Sequence, residues 1–245
     1  MFKIFKKKNK IKSTNETIKY SESKRNNLVH LYPDTDDYIT VPIDDFKIDD
    51  VKLGFIHKIN NNILVRNIGQ YEENLSVVCE DISRVKCDAV VNAAKSSLLG
   101  GGGVDGAIHM MAGRDLVKEC KTLNGCECGN AKITNGYNMH VKKIIHAVGP
   151  QYKGGKHNEA ELLKSAYENA FNLAVKNDLK TVAFPAISCG IYGFPINEGL
   201  KIALNVVHEY LIKYPDMHFI FVVNSFCFNE IVKILNEDST LLKLN

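Results

Sequence analysis

The stretch CDAVVNAAKSSLLGGGGVDG, residues 87–106, decides the fold. Its first part, Cys87 to Ala94, is a short run of small and β-branched side chains, as in a strand covered on both faces. Four consecutive glycines follow, Gly100 to Gly103, and a helical pattern then runs from about Val104 to Leu123, across Gly113. A buried strand, a glycine turn and a helix in that order make one unit of a layered α/β domain.

The same alternation extends outward on both sides. LSVVCEDI before this stretch, and AKITNGY, KKIIHAVGP, LKTVAFPAI and MHFIFVVN after it, read as strands. Between Glu159 and Val175, the residues Leu162, Leu163, Ala166, Tyr167, Ala170, Phe171 and Ala174 recur at three- and four-residue spacing, which puts them on one helix face. Leu200 to Tyr214 and FNEIVKIL carry similar patterns. The α/β domain is expected to span residues 71–245. Residues 28–70, with short apolar stretches between turn-forming residues, are expected to be an accessory segment of short strands. Residues 1–27 lack a hydrophobic period and are expected to form a basic, disordered tail.

At 245 residues with 45% hydrophobic and 24% charged side chains, the chain has material for one substantial core. No apolar run approaches the roughly 18 to 20 residues of a membrane span, and no signal h-region precedes the domain. Seven scattered cysteines without paired CxxC units argue against a disulfide framework. Reduced thiols point to a cytoplasmic or nuclear location. The net charge of +3 is unevenly placed: six lysines lie within the first twelve residues, and seven aspartates against one lysine from Asp34 to Asp50. Nucleic-acid binding would therefore rest on the tail alone, which also reads as a plain solvated end, an import signal or a membrane-surface segment.

Two loops carry the chemistry. The glycines at 100–103 sit where backbone N–H groups at a helix start can cradle an anion. Gly101, Gly103 and Gly106 formally match GxGxxG, but six residues, Lys95 to Gly100, separate Gly101 from the strand, and no acidic residue ends a second strand about twenty positions on. The P-loop pattern GxxxxGK[ST] is absent. A second loop, SCGIYGF from Ser188 to Phe194, also follows a buried strand. Ligands collect beyond the carboxyl ends of such strands, so both loops can meet on one diphosphate, with Tyr192 and Phe194 as walls for a ribose or base.

VNAAKSSLLGGGGVDGAIHMMAG, LNGCECGNAKIT, IIHAVGP and FPAISCGIYGFP, in this order, closely resemble the MacroD-type branch of the macrodomain family. The resemblance covers about residues 75–245. It implies a three-layer α/β/α fold around a mixed sheet, here with an N-terminal extension. It also implies an ADP-ribose pocket, hydrolysis of mono-ADP-ribose from acidic protein side chains and deacetylation of O-acetyl-ADP-ribose, with neither metal nor cofactor, by a monomer. Position by position, Asp81 and Ile82 match the adenine contacts, although Glu80 stands where the family usually has glycine. Asn92 matches a distal-ribose contact. Gly101, Gly102, Gly103 and Val104 match the loop around that ribose and its phosphate. Ser188, Cys189, Gly190, Ile191, Tyr192, Gly193 and Phe194 match the loop over the diphosphate, and Phe226 is a candidate for the aromatic against adenine.

Asp105 is the expected catalytic carboxylate, placed to position or deprotonate a water for attack on the anomeric carbon. Its alternative task is to cap a helix beginning near Gly106. Lys95 departs from the branch, which reads NAAN where this chain has NAAK. A lysine there can pair with Asp105, reach the phosphates or point into solvent, and it leaves open a non-catalytic ADP-ribose reader. His109 and His146 read as a helix-face residue and a buried strand residue. Cys120, Cys126 and Cys128 have metal-like spacing but no fourth ligand, and Cys189 lacks an adjacent histidine.

Overall fold

The computed structural model describes residues 39–41, 55–59 and 62–66 and the continuous stretch 74–237. The basic tail expected at residues 1–27 lies outside the described residues. The strands are β1 Ile39–Val41, β2 Phe55–Ile59, β3 Asn62–Arg66, β4 Leu75–Cys79, β5 Cys87–Ala93, β6 Ala131–Asn135, β7 Val141–Ala147, β8 Thr181–Phe184 and β9 His218–Val223. Among the described residues they form one sheet in the order β1-β2-β3-β4-β9-β8-β5-β7-β6. The five strands from β4 to β7 in this order run parallel, and β6 is antiparallel to β7. The first three strands form an antiparallel meander that joins β4 through Leu64↔Val78 and Val65↔Val77.

Among the described residues five α-helices cover the sheet: α1 Gly103–Ala112, α2 Arg114–Thr122, α3 Glu159–Lys176, α4 Ile196–Lys213 and α5 Ser225–Glu237. Strand alternation divides the apolar side chains between two cores. Phe219 and Phe221 of β9 point into one, with Ala166, Phe171, Leu204, Val207 and Ile231 from α3, α4 and α5. Ile220 and Val222 point into the other, with Ile108, Ala112, Leu116 and Cys120 from α1 and α2. The result is the three-layer α/β/α architecture with a mixed sheet. No helix among the described residues is long and apolar enough to cross a membrane.

Two boundaries differ from the sequence reading. The helix expected over 104–123 breaks at Gly113, whose φ of +86° ends α1 and starts α2. The helix expected from Leu200 begins at Ile196, because Pro195 supplies a ready N-terminal boundary and Glu198 stands favourably in the first turn.

Phe171 is the aromatic hub of the larger core, with ring centroids 4.5 Å from Phe219 and 5.4 Å from both Phe184 and Tyr210. Phe171→Ala is expected to cost about 3–5 kcal/mol, through lost burial and the cavity left behind. Denaturant unfolding of the full chain measures this as a lower midpoint, and a change within about 0.5 kcal/mol would count against the hub role.

Candidate active site

Residues following β4, β5, β7 and β8, and the end of β9, surround one crevice of about 520 Å³. This is the carboxyl end of the parallel strands, where helix N-termini and loop amides gather. Both glycine loops reach it, through Gly102, Gly103 and Val104 on one side and Ser188, Cys189, Gly190, Ile191 and Tyr192 on the other. Asp81, Ile82, Lys95 and Asp105 also line it.

The first loop presents backbone. Helix α1 starts at Gly103, with Gly102 at its cap position and no side-chain capping bond, so its leading N–H groups are open to a ligand. Close approach explains Gly106: a Cβ there would stand 2.7 Å from the Gly101 carbonyl oxygen. Gly101 itself does not line the crevice. It makes room, since a Cβ at that position would stand 2.5 Å from Lys95 Cε and 2.9 Å from Asp105 Oδ2.

Asp105 lies in the first turn of α1 and is 3% exposed. The helix begins before it, so Asp105 does not fill the cap position. Its Oδ1 accepts a 2.7 Å hydrogen bond from Asn92 Nδ2. His109, one turn further along α1, brings Nε2 to 3.4 Å from the same oxygen. Oδ2 is buried with no hydrogen-bond partner. Thus one carboxylate oxygen is held and the other is left for a molecule in the crevice.

Behind Asp105 runs a buried polar chain. The Asn92 amide also lies 3.1 Å from His146 Nδ1, and His146 Nε2 lies 3.0 Å from Thr134 Oγ1. Burial, reinforced by nearby His109, pushes the His146 pKa down to about 3, so the ring is neutral. Burial lowers His109 as well, against the opposing pull of Asp105. Cys120 Sγ sits 3.7 Å from His146 Nε2, and burial raises its pKa to about 11, which keeps it a thiol. The donor atoms of His109, Cys120 and His146 lie within 4.8 Å of one another. Cys126 and Cys128 are not part of that group, so the spacing-based cysteine trio does not assemble.

The second loop is shaped by turns. Ser188 takes a left-handed φ of 64°, and its buried Oγ has no partner. The amides of Gly190, Ile191 and Tyr192 meet no protein acceptor among the described residues. Gly193 and Phe194 donate back to Gly190 O and Ser188 O at 2.9 and 3.0 Å. That reversal carries both residues away from the crevice, and neither lines it. Phe194 is 2% exposed and packs edge-on against Tyr152, so the expected aromatic wall there is core instead. The Cys189 side chain packs toward α4, where its Sγ would lie 2.5 Å from a Cβ on Gly199. Burial raises that thiol to about 12.

Two further positions differ from the sequence reading. Asn92 is fully buried and does not line the crevice, so it holds Asp105 from beneath where a ribose contact was expected. Phe226 is 60% exposed and outside the lining, whereas Asn224 and Cys227 on either side belong to it. Lys95 forms no ion pair with Asp105, although it reaches the crevice beside it. His109 reads in the sequence as a helix-face residue, and its spacing of four from Asp105 is the signal for the contact between them.

Where an adenine contact was expected, Asp81 Oδ1 accepts from the Ser83 amide and hydroxyl at 2.9 and 2.8 Å, capping a 3-10 turn over Ile82–Arg84. Glu80 Oε1 turns back onto the Asp81 amide at 2.8 Å. The second loop is also braced from behind, because the Tyr152 amide donates to Tyr192 O at 2.9 Å. The Tyr152 segment is in turn gathered by buried Glu159, whose carboxylate accepts from the amides of Lys153, Gly155 and His157 at 2.9, 3.3 and 2.6 Å.

A family model described as Macro domain matches residues 91–203. A macro domain-containing protein of Chlorobaculum tepidum is 53% identical over 131 residues, which cover 54% of this chain and 76% of that protein. ADP-ribose glycohydrolase MACROD2 of Homo sapiens is 49% identical over 144 residues, covering 58% of this chain and 33% of that protein. The structure of a Trypanosoma brucei macrodomain in complex with ADP-ribose superposes with a TM-score of 0.65 at 31% identity, covering 69% of this chain and 74% of that one.

The Glu159 clamp predicts an acid-dependent stability. Burial alone would raise its pKa, but the converging amides hold it down at about 2, against an ordinary 4.5. Its contribution is therefore complete above about 4.5 and lost as pH falls toward 2. Glu159→Gln is expected to flatten this acid limb in urea unfolding midpoints measured across the acid range. Parallel curves for the two proteins would refute the assignment.

Proposed function

The chain belongs to the macro domain family, within its MacroD-type branch, and on that premise we propose that it binds ADP-ribose and hydrolyses it from acidic side chains of modified proteins. The observation that carries this reading is Asp105, with one oxygen held by Asn92 and the other unpartnered at the crevice between two glycine loops.

The diphosphate is assigned to the backbone. The uncapped start of α1 and the free amides of Gly190, Ile191 and Tyr192 offer N–H donors, and the orphaned Ser188 hydroxyl adds a side-chain donor. Asp81 spends one oxygen on Ser83, and its other oxygen suits an exocyclic adenine amine. The adenosine end would then lie by β4 and the distal ribose by Asp105. The complex with ADP-ribose of the Trypanosoma brucei macrodomain and the glycohydrolase name of MACROD2 support this choice of ligand and reaction.

In the chemical step, Asp105 Oδ2 accepts a proton from a water that attacks the anomeric carbon. The bond from that carbon to the carboxylate oxygen of the modified side chain breaks, and that carboxylate departs with the bonding electron pair. Positive charge on the ribose in the transition state is stabilised by the nearby Asp105 carboxylate. Deacetylation of O-acetyl-ADP-ribose draws on the same pocket and the same positioned water, attacking an acetyl carbonyl instead.

Lys95 supports one alternative, a reader that binds without turnover, because it stands beside Asp105 where the branch has asparagine. Asp105→Ala is expected to lower release of ADP-ribose from mono-ADP-ribosylated protein by at least about 100-fold while retaining ADP-ribose binding. Single-turnover release assays and calorimetry test both. Micromolar binding by the natural chain without release, and release by Lys95→Asn, would replace the hydrolase by the reader. Equal release by the natural chain and Asp105→Ala would remove the assigned catalytic role.

A further inference from the structure

The buried chain behind Asp105 can be read as a sequence of donors and acceptors, with Asn92 Oδ1 left without a partner. Asn92 Nδ2 has two hydrogens and two neighbours, Asp105 Oδ1 at 2.7 Å and His146 Nδ1 at 3.1 Å. The Asn92 amide is oriented with Nδ2 toward Asp105 Oδ1, which accepts its hydrogen bond. The same Nδ2 then faces His146, so Nδ1 must offer a lone pair. Since the ring is neutral, its proton is on Nε2. That N–H points at Thr134 Oγ1, 3.0 Å away on the edge strand β6. The hydroxyl proton has acceptors of its own in the carbonyls of Asn135 at 3.3 Å and Ile144 at 3.5 Å.

We propose that Thr134 is a positioning residue for Asp105, acting by fixing the tautomer of His146 and, through it, the amide orientation of Asn92. The proposal rests on the catalytic reading of Asp105 and adds three residues to it. Asn92, His146 and Thr134 are all buried. With Thr134 Oγ1 removed, Nε2–H keeps only the weak acceptor Cys120 Sγ at 3.7 Å. The Nδ1–H tautomer then competes. It places a donor against Asn92 Nδ2, and an amide turned to accept it presents Oδ1 to the Asp105 carboxylate, where two acceptors repel.

The register explains why these groups meet. Asn92 and His146 are directly paired between parallel β5 and β7, and Thr134 pairs with Ile144 across β6 and β7. His146 thus lies two residues along β7 from the partner of Thr134, on the same face.

Thr134→Val removes the acceptor while nearly preserving side-chain shape, and Thr134→Ser restores the hydroxyl. Thr134→Val is expected to lower kcat for ADP-ribose release by about 10-fold to about 100-fold, with KM and ADP-ribose affinity within about 2-fold of the natural chain. Thr134→Ser should recover most of the loss. Imidazole nitrogen shifts in the full-length protein provide a readout independent of turnover: His146 should be neutral with its proton on Nε2, shifting toward Nδ1 in Thr134→Val. An Nδ1–H tautomer in the natural chain would overturn the proposal even if Asp105 is catalytic. An unchanged kcat in a folded Thr134→Val variant would do the same. Natural chain and Asp105→Ala, assayed in parallel, separate this outcome from failure of the catalytic reading, in which Asp105→Ala also keeps full activity.

Discussion

A carboxylate taken out of water must be hydrogen-bonded, and Asp105 meets that demand with an amide supplied from beneath the sheet surface. Much of the local architecture follows from this constraint. Helix α1 has to start at Gly103 to bring the carboxylate over β5, and β5 has to carry Asn92 at that point of the strand. The neighbouring strand β7 completes the amide's bonding through His146. A side chain that is polar, fully covered and away from the ligand thereby becomes part of the active centre.

The loops work on the opposite principle. Their contribution comes mainly from peptide groups, and side chains are cleared from the approach. Gly106 allows the Gly101 carbonyl to fold against the first turn of α1, and Gly199 allows the second loop to settle on α4 through Cys189. Substitutions at these glycines act by moving backbone, so their effect reaches residues that the new side chain never touches.

The strands and helices around residues 87–106 were legible because apolar runs, glycine turns and three- and four-residue spacings carry structural information directly. Asp105 and the two glycine loops were legible as a site for the same reason, helped by their resemblance to a known branch. Direction was harder to read. Asn92 lies near the end of the strand that leads to the glycine turn, yet strand alternation turns it into the interior, toward His146. Phe194 belongs to a ligand loop by position and to the core by the reversal at Gly193. Phe226 lies between the lining positions Asn224 and Cys227, but helix α5 turns its ring outward. His109, His146 and Thr134 come from three separate elements, and nothing local in sequence joins them until the strand register is known.

Glu159 braces the crevice from within the fold. By collecting the amides of Lys153, Gly155 and His157, it sets the segment that ties Tyr152 to Tyr192 before any ligand arrives. The receiving surface is thus preorganised by internal bonds. On the proposed reading, an incoming diphosphate would have little chain left to order, leaving more of its contact free energy as affinity.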